Sequence, residues 1–168
     1  LKGFTLIELL ATIGLMLVLA LVVYPTFYAT SPATVLRAAV EQVASDVRLA
    51  QDLAISERAR YRITFSAGSS SYTLEKRDPS TGTWGAAMGT QTPSPLPDDV
   101  VVQSAADLTD SILAFNSLGA PYEGTGAGVP LTGSGTGGLD HIVLRNSKSG
   151  RTGDVTVSPG TGRVDRTW

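Results

Sequence analysis

The sequence predicts an α+β protein: a long N-terminal helix, membrane-spanning in its first half, with a small antiparallel β-rich C-terminal head packed on its second half. Three observations predict it. An apolar, almost uncharged run opens the chain, and an apolar stripe at helical spacing comes after it. Past Arg60 the period changes to alternation, in short runs divided by Gly and Pro. Short β runs after one long helix build a sheet that covers the helix stripe.

The first element is residues 4–28. Phe4 to Tyr28 is rich in Leu, Val, Ile and Ala and has the roughly 20-residue length that a bilayer span needs. Lys2 lies just before it, which places the N-terminal side in the cytoplasm and the head across the membrane. A secretory signal also opens with a positive residue, but its apolar part is about 7–15 residues long. Glu8 stands near the head of the run. A carboxylate at the centre of a membrane helix costs about 2.5–3.5 kcal/mol, so Glu8 calls for a partner. Pro25 lacks an N–H and clashes with the preceding turn, so a helix kink is expected there.

Residues 29–59 continue as an amphipathic helix. Leu36, Val40, Val43, Val47, Ala50 and Ala54 recur at steps of four and three. Arg37, Glu41, Asp46, Arg48 and Asp52 fall largely off that stripe and read as the solvated face. An unbroken helix from Phe4 to about Arg58 would reach roughly 80 Å at about 1.5 Å per residue. Ser31-Pro32 is a weak point, where Ser31 is placed to cap a fresh helix beginning at Pro32.

Residues 60–168 form the head. Tyr61, Ile63 and Phe65, then Tyr72 and Leu74, alternate with polar residues across Ala67-Gly68-Ser69-Ser70, which predicts a hairpin. Asp78-Pro79-Ser80-Thr81-Gly82 has turn residues in turn positions. Pro93 to Pro97 is an extended connector that cannot sit in a central strand. Further strands are expected at Val100–Val102, Ile112–Phe115, Ile142–Arg145, Val155–Val157 and Arg163–Arg166. Gly124–Gly138 reads as a mobile surface loop.

Composition narrows the function classes. The chain has 168 residues, a net charge of -2, no cysteine and one histidine. One head on a stalk accounts for that length. No global basic field points to nucleic acid or anionic lipid, and a disulfide framework and Cys-based zinc sites are excluded. His141, without a second imidazole or a nearby pair of acids at ligand spacing, offers little to a metal site or a catalytic triad. Gly133, Gly135 and Gly138 make a formal G-x-G-x-x-G. A dinucleotide site requires that motif between a strand and a helix, whereas here a glycine-rich loop precedes it and the β-like Leu139–Leu144 comes after. No catalytic residue, metal or cofactor is therefore expected.

Lys2-Gly3 followed by Phe4-Thr5-Leu6-Ile7-Glu8-Leu9 resembles the processing site of type IV pilins and type II secretion pseudopilins. The resemblance implies that residues 1–3 end a prepilin leader, truncated upstream because the chain begins at Leu1. It implies cleavage between Gly3 and Phe4 by a prepilin peptidase, N-methylation of Phe4, and pairing of Glu8 with a Phe4 amine as subunits stack. Leu113-Ala114-Phe115-Asn116-Ser117-Leu118-Gly119 and Thr156 to Val164 are similar to two blocks of the GspH/FimT-type minor pseudopilins. Arg48-Leu49-Ala50-Gln51 through Ile55 to Arg58 resembles the end of that family's helix. The likeness implies a non-enzymatic subunit at or near the tip of a type II secretion or type IV pilus filament. Its implied partners are other pilins or pseudopilins, the peptidase and the bacterial inner membrane, crossed once, with the head in the periplasm.

A rival reading is a minor pilin that captures DNA for uptake. Arg145, Lys148, Arg151, Arg163 and Arg166 outnumber Asp154 and Asp165 in the final 28 residues, and Arg163 and Arg166 fall in and just after the Gly-Arg block similar to the family's. Strand arginines contact phosphates without sequence preference, and Trp168 has a face on which a base can stack. Asp165, however, shares the face of Arg163 by strand alternation and cancels it locally. A solvated edge strand whose charges discourage sheet pairing explains the same residues.

Overall fold

The computed structural model describes residues 3, 5–28, 31–87, 89–90, 92–124 and 129–168, without the side chains of 21–28. Two compact units are present, Leu1–Ser31 and Pro32–Trp168. The first holds helix α1, Leu6–Tyr28, whose only charged residue is Glu8. Among the described residues, no helix is long and apolar enough to cross a membrane. The residues whose side chains are described stop at Ala20, short of the end of the span expected at 4–28.

The second unit starts with helix α2, Pro32–Ser56. Proline suits the first turn because its missing N–H has no partner there in any case. The fresh start at Pro32 is thus the observed alternative to a single run from Phe4 to Arg58. All six residues of the expected stripe are buried, joined by Ala39 and Ala44. Each Val or Leu taken fully out of water contributes about 1.5–3 kcal/mol.

Two antiparallel sheets pack on the buried face of that helix. The strands are β1 (Tyr61–Thr64), β2 (Ser71–Arg77), β3 (Trp84–Ala86), β4 (Ser94–Pro95), β5 (Val100–Ser104), β6 (Ile112–Phe115), β7 (Pro121–Glu123), β8 (Val129–Pro130), β9 (Asp140–Asn146), β10 (Thr152–Val157) and β11 (Val164–Thr167). The first sheet runs β3-β2-β1-β6-β7-β8, with β4 also on β2; the second runs β11-β10-β9-β5. One core joins α2 to both sheets through Tyr61, Ile63, Leu74, Phe115, Ile142, Leu144, Val155 and Val157. The expected hairpin is β1–β2, with Ile63 opposite Leu74.

Three expectations change. The polar side of α2 is not simply solvated. Asp46 accepts from the Tyr72 hydroxyl at 2.5 Å, and Arg48 donates to the Val164 carbonyl at 2.9 Å. Gln51 donates to the carbonyls of Gly119 at 2.9 Å and Thr161 at 3.1 Å. The head thus reaches past the apolar stripe to polar residues that flank it. The final strand begins at Val164, because Arg163 belongs to the turn whose Thr161 hydroxyl accepts from the Arg163 N–H at 3.3 Å. The glycine-rich stretch, whose residues 125–128 lie outside the described ones, is partly built in. It contains β8 and a 3-10 turn at Thr136–Gly138. Gly133 and Gly135 leave no room for a Cβ against Gly138, Leu139 and His141. Buried Asp140 explains that packing, accepting the N–H groups of Gly133 and Ser134 at 3.1 Å each.

Candidate functional site: the first helix and the last strand

The processing residues fall only partly within the described chain. Lys2 and Phe4 lie outside it, so the Gly3–Phe4 bond and the Phe4 amine are not seen. Gly3 is exposed, and a Cβ there would meet nothing within 4 Å. Thr5 opens α1: its carbonyl accepts the N–H of Glu8 at 3.1 Å and of Leu9 at 3.2 Å, and its hydroxyl also faces the Glu8 N–H at 3.4 Å. An acid in the first turn is favoured there by the unsatisfied amide groups. Among the described residues, no ion pair involves Glu8.

Around Glu8 the helix is apolar on every side. Leu6, Ile7, Leu9, Leu10, Ile13, Leu15 and the residues to Leu19 are all exposed, Leu6 by 78%. A contiguous apolar surface of this kind is rare on a soluble monomer and marks a surface that another molecule or a bilayer covers.

At the other end of the chain, the two arginines of the DNA reading each have a carboxylate partner. Arg163, from the turn before the strand, pairs with Asp165 at 2.5 Å. Arg166 pairs with Glu41 of α2 at 2.7 Å. Trp168 takes the Arg37 guanidinium 4.7 Å above its ring and that of Arg166 at 6.0 Å. This tail thereby ties β11 to α2. An open cleft of about 530 Å³ adjoins it, lined by Leu36, Arg37, Arg151 and Trp168 among others. Lys148 pairs with Asp99 at 2.6 Å, while Arg145 remains exposed.

His141 is a structural link between strands. Its Nδ1 is hydrogen-bonded to Asp154 on β10, and its Nε2 lies 3.1 Å from the Thr136 carbonyl. The bond to Asp154 holds the imidazole above its ordinary pKa, helped by the Thr136 carbonyl. Burial pushes Asp140 above the usual carboxylate range, against the two backbone donors. Among the described residues, no three His, Asp or Glu side chains converge as metal ligands. Gly133–Gly138 leads into strand β9, and no helix N-terminus stands beyond it to face a pyrophosphate.

Glu41, Arg37 and Trp168 form the tie that sequence reasoning missed. Glu41 and Arg37 lie one turn apart on α2, which was the available signal. Their partner strand, more than a hundred residues away, was not.

Comparisons with known proteins agree on the chain's kinship. A family model described as Type II transport protein GspH matches residues 39–161. A second, the prokaryotic N-terminal methylation motif, matches residues 2–24. No curated protein matches the sequence. Among solved structures, the minor pseudopilin EpsH from the Type 2 Secretion System of Vibrio cholerae resembles the chain with a TM-score of 0.56. The likeness covers 79% of this chain and 95% of that one at 9% sequence identity, so it concerns the fold.

Proposed function

The chain belongs to the GspH family of type II transport proteins, and we propose that it is a minor pseudopilin, a structural and non-enzymatic subunit that enters its filament at or near the tip. Prepilin peptidase cuts between Gly3 and Phe4, and the new Phe4 terminus is methylated. A single span of residues 4–28 holds the subunit in the inner membrane with its head in the periplasm, and Pro25 kinks that span. As the subunit rises into the filament, Glu8 meets a Phe4 amine across a medium of low dielectric, where charge pairs are least screened. Apolar helix faces then bury against one another.

The observation that carries this reading is a lone carboxylate, Glu8, inside a helix otherwise uncharged and exposed on all its described sides. A match to the methylation motif over the same residues supports it. N-terminal mass analysis of the membrane fraction from a peptidase-positive host tests it. A chain that starts at methylated Phe4 is expected, and intact Lys2-Gly3 rejects the reading. A bulky residue at position 3 is expected to block cleavage by crowding the scissile backbone.

DNA capture by Arg163 and Arg166 is the weaker reading, since Asp165 and Glu41 already occupy both guanidiniums. Little retention of duplex DNA at physiological salt is expected. Micromolar binding that vanishes when both arginines are changed to Gln would reverse the preference.

A further inference from the structure

The outward face of the first sheet carries charges that the assembly role of α1 leaves unused. Tyr61, Ile63 and Leu74 are buried in the core, so by strand alternation Arg60, Arg62, Glu75 and Arg77 lie on the opposite face. The Arg77 N–H donates to the Arg60 carbonyl at 2.8 Å, next to the Tyr61–Lys76 pair. Arg60 and Arg77 are therefore directly opposed on neighbouring strands, where like charges destabilise a sheet.

Arg62 is already engaged. It holds Glu75 at 2.7 Å and lies 4.4 Å over the Trp84 ring. Among the described residues, the Arg77 side chain donates only to the Gly82 carbonyl, at 3.3 Å. Among the described residues, neither Arg60 nor Arg77 has a carboxylate partner. The opposed pair is left with an unbalanced repulsion that an anion would remove.

Tyr122 supplies the second, independent observation. It lies opposite Ala114, which lies opposite Arg62, so the phenol belongs to the same face. Its ring packs with Ile112 and Ala114 and is only 5% exposed. Among the described residues, the hydroxyl is buried and has no hydrogen-bond partner. Burial pushes its pKa up, while the charges of Arg60, Arg77 and Arg62 act on it in the opposite direction. A buried donor without an acceptor, on the sheet face that carries three guanidiniums, is suited to an anionic oxygen.

We propose that Arg60, Arg77 and the Tyr122 hydroxyl form a carboxylate-binding site, filled by an Asp or Glu side chain of another protein docked on the outer face of this sheet. One carboxylate accepts from both guanidiniums, ends their repulsion and gives the hydroxyl an acceptor. The hydroxyl is closed to solvent, so the groups that cover it must move aside as the ligand enters. Duplex DNA fits less well. Glu75 sets a negative charge in the same face, and Arg62 already covers the Trp84 ring where a base would stack.

The test uses the full chain in detergent micelles, titrated into a fluorescent oligo-glutamate peptide with a labelled DNA duplex in parallel. The peptide is expected to bind at low salt and to weaken as salt rises. Tyr122→Phe deletes only an unpartnered hydroxyl, so the thermal midpoint stays or rises while peptide binding weakens about tenfold. Arg60→Gln with Arg77→Gln abolishes binding, and the peptide raises the midpoint of the parent chain but not of that variant. No binding, equal binding by the parent and Tyr122→Phe, or preference for the duplex overturns the proposal.

Discussion

Helices α1 and α2 run for 23 and 25 residues, yet they solve opposite problems. In α2 the apolar residues are gathered on one side, and both sheets of the same chain bury them. In α1 the apolar residues run all the way round, and every described side chain is exposed. A helix apolar on all sides is stable only where something else surrounds it. Each helix thus finds its solvent in a different place: α2 in its own fold, α1 in a bilayer or in neighbouring subunits. The charges obey the same division. Glu41, Asp46 and Arg48 of α2 meet Arg166, Tyr72 and Val164 within the chain, whereas Glu8 has no such ion pair among the described residues.

The largest effect that separates the helices comes from placing a charge in each. Val43 is fully buried, so Val43→Asp puts an unpaired carboxylate into the core. A loss of more than about 4 kcal/mol is expected, much of the stability such a domain possesses. Leu15→Asp in α1, changing an exposed position, should leave the melting of the second unit unchanged. Circular dichroism melts of both variants check the contrast, and equal losses would break it.

Glycines give a finer version. A Cβ on Gly153 would stand 2.6 Å from Val40 Cγ2, where β10 crosses α2, whereas one on Gly14 in α1 would meet nothing within 4 Å. Gly153→Ala should cost about 1–3 kcal/mol through overpacking. Gly14→Ala should instead favour its helix by up to about 1 kcal/mol. Chemical denaturation measures the first and helix content in micelles the second.

The smallest expected effect is a pH dependence confined to the second unit. His141 has its pKa raised by Asp154 and the Thr136 carbonyl. A group raised on folding binds its proton more tightly in the native state. Its contribution is complete below the unfolded value of about 6.5 and is lost as pH rises through the native one. Stability should therefore decline from near neutral pH upward. His141→Gln should flatten that limb in melts taken across the range, and an unchanged slope would remove His141 as its cause.

Much of this division was legible in the sequence, because periodicity reports burial. The steps of four and three from Leu36 to Ala54 marked the buried stripe, and the alternation from Tyr61 to Leu74 marked the first hairpin. Short strands were not legible. Trp84–Ala86, Pro121–Glu123 and Val129–Pro130 are too brief to display a period, and β7 includes a buried Glu123 that looks polar in sequence. Its carboxylate is satisfied by the Thr109 N–H at 2.8 Å, a contact no local pattern announces. The outer arginines were visible as the polar half of a strand. The register that sets Arg77 opposite Arg60 and turns Tyr122 to the same face came only with the pairing of β1, β2, β6 and β7.

If α1 is an assembly element, its one carboxylate is an intersubunit contact, and co-purification of Glu8→Ala with the other pseudopilins, beside the parent chain, is the decisive measurement. Removing the acid lowers the cost of insertion, so the variant should remain in the membrane fraction at parental levels or above. It should nonetheless be lost from the assembled complex. Recovery of Glu8→Ala with its neighbours in the same yield as the parent chain would contradict an assembly role for the carboxylate.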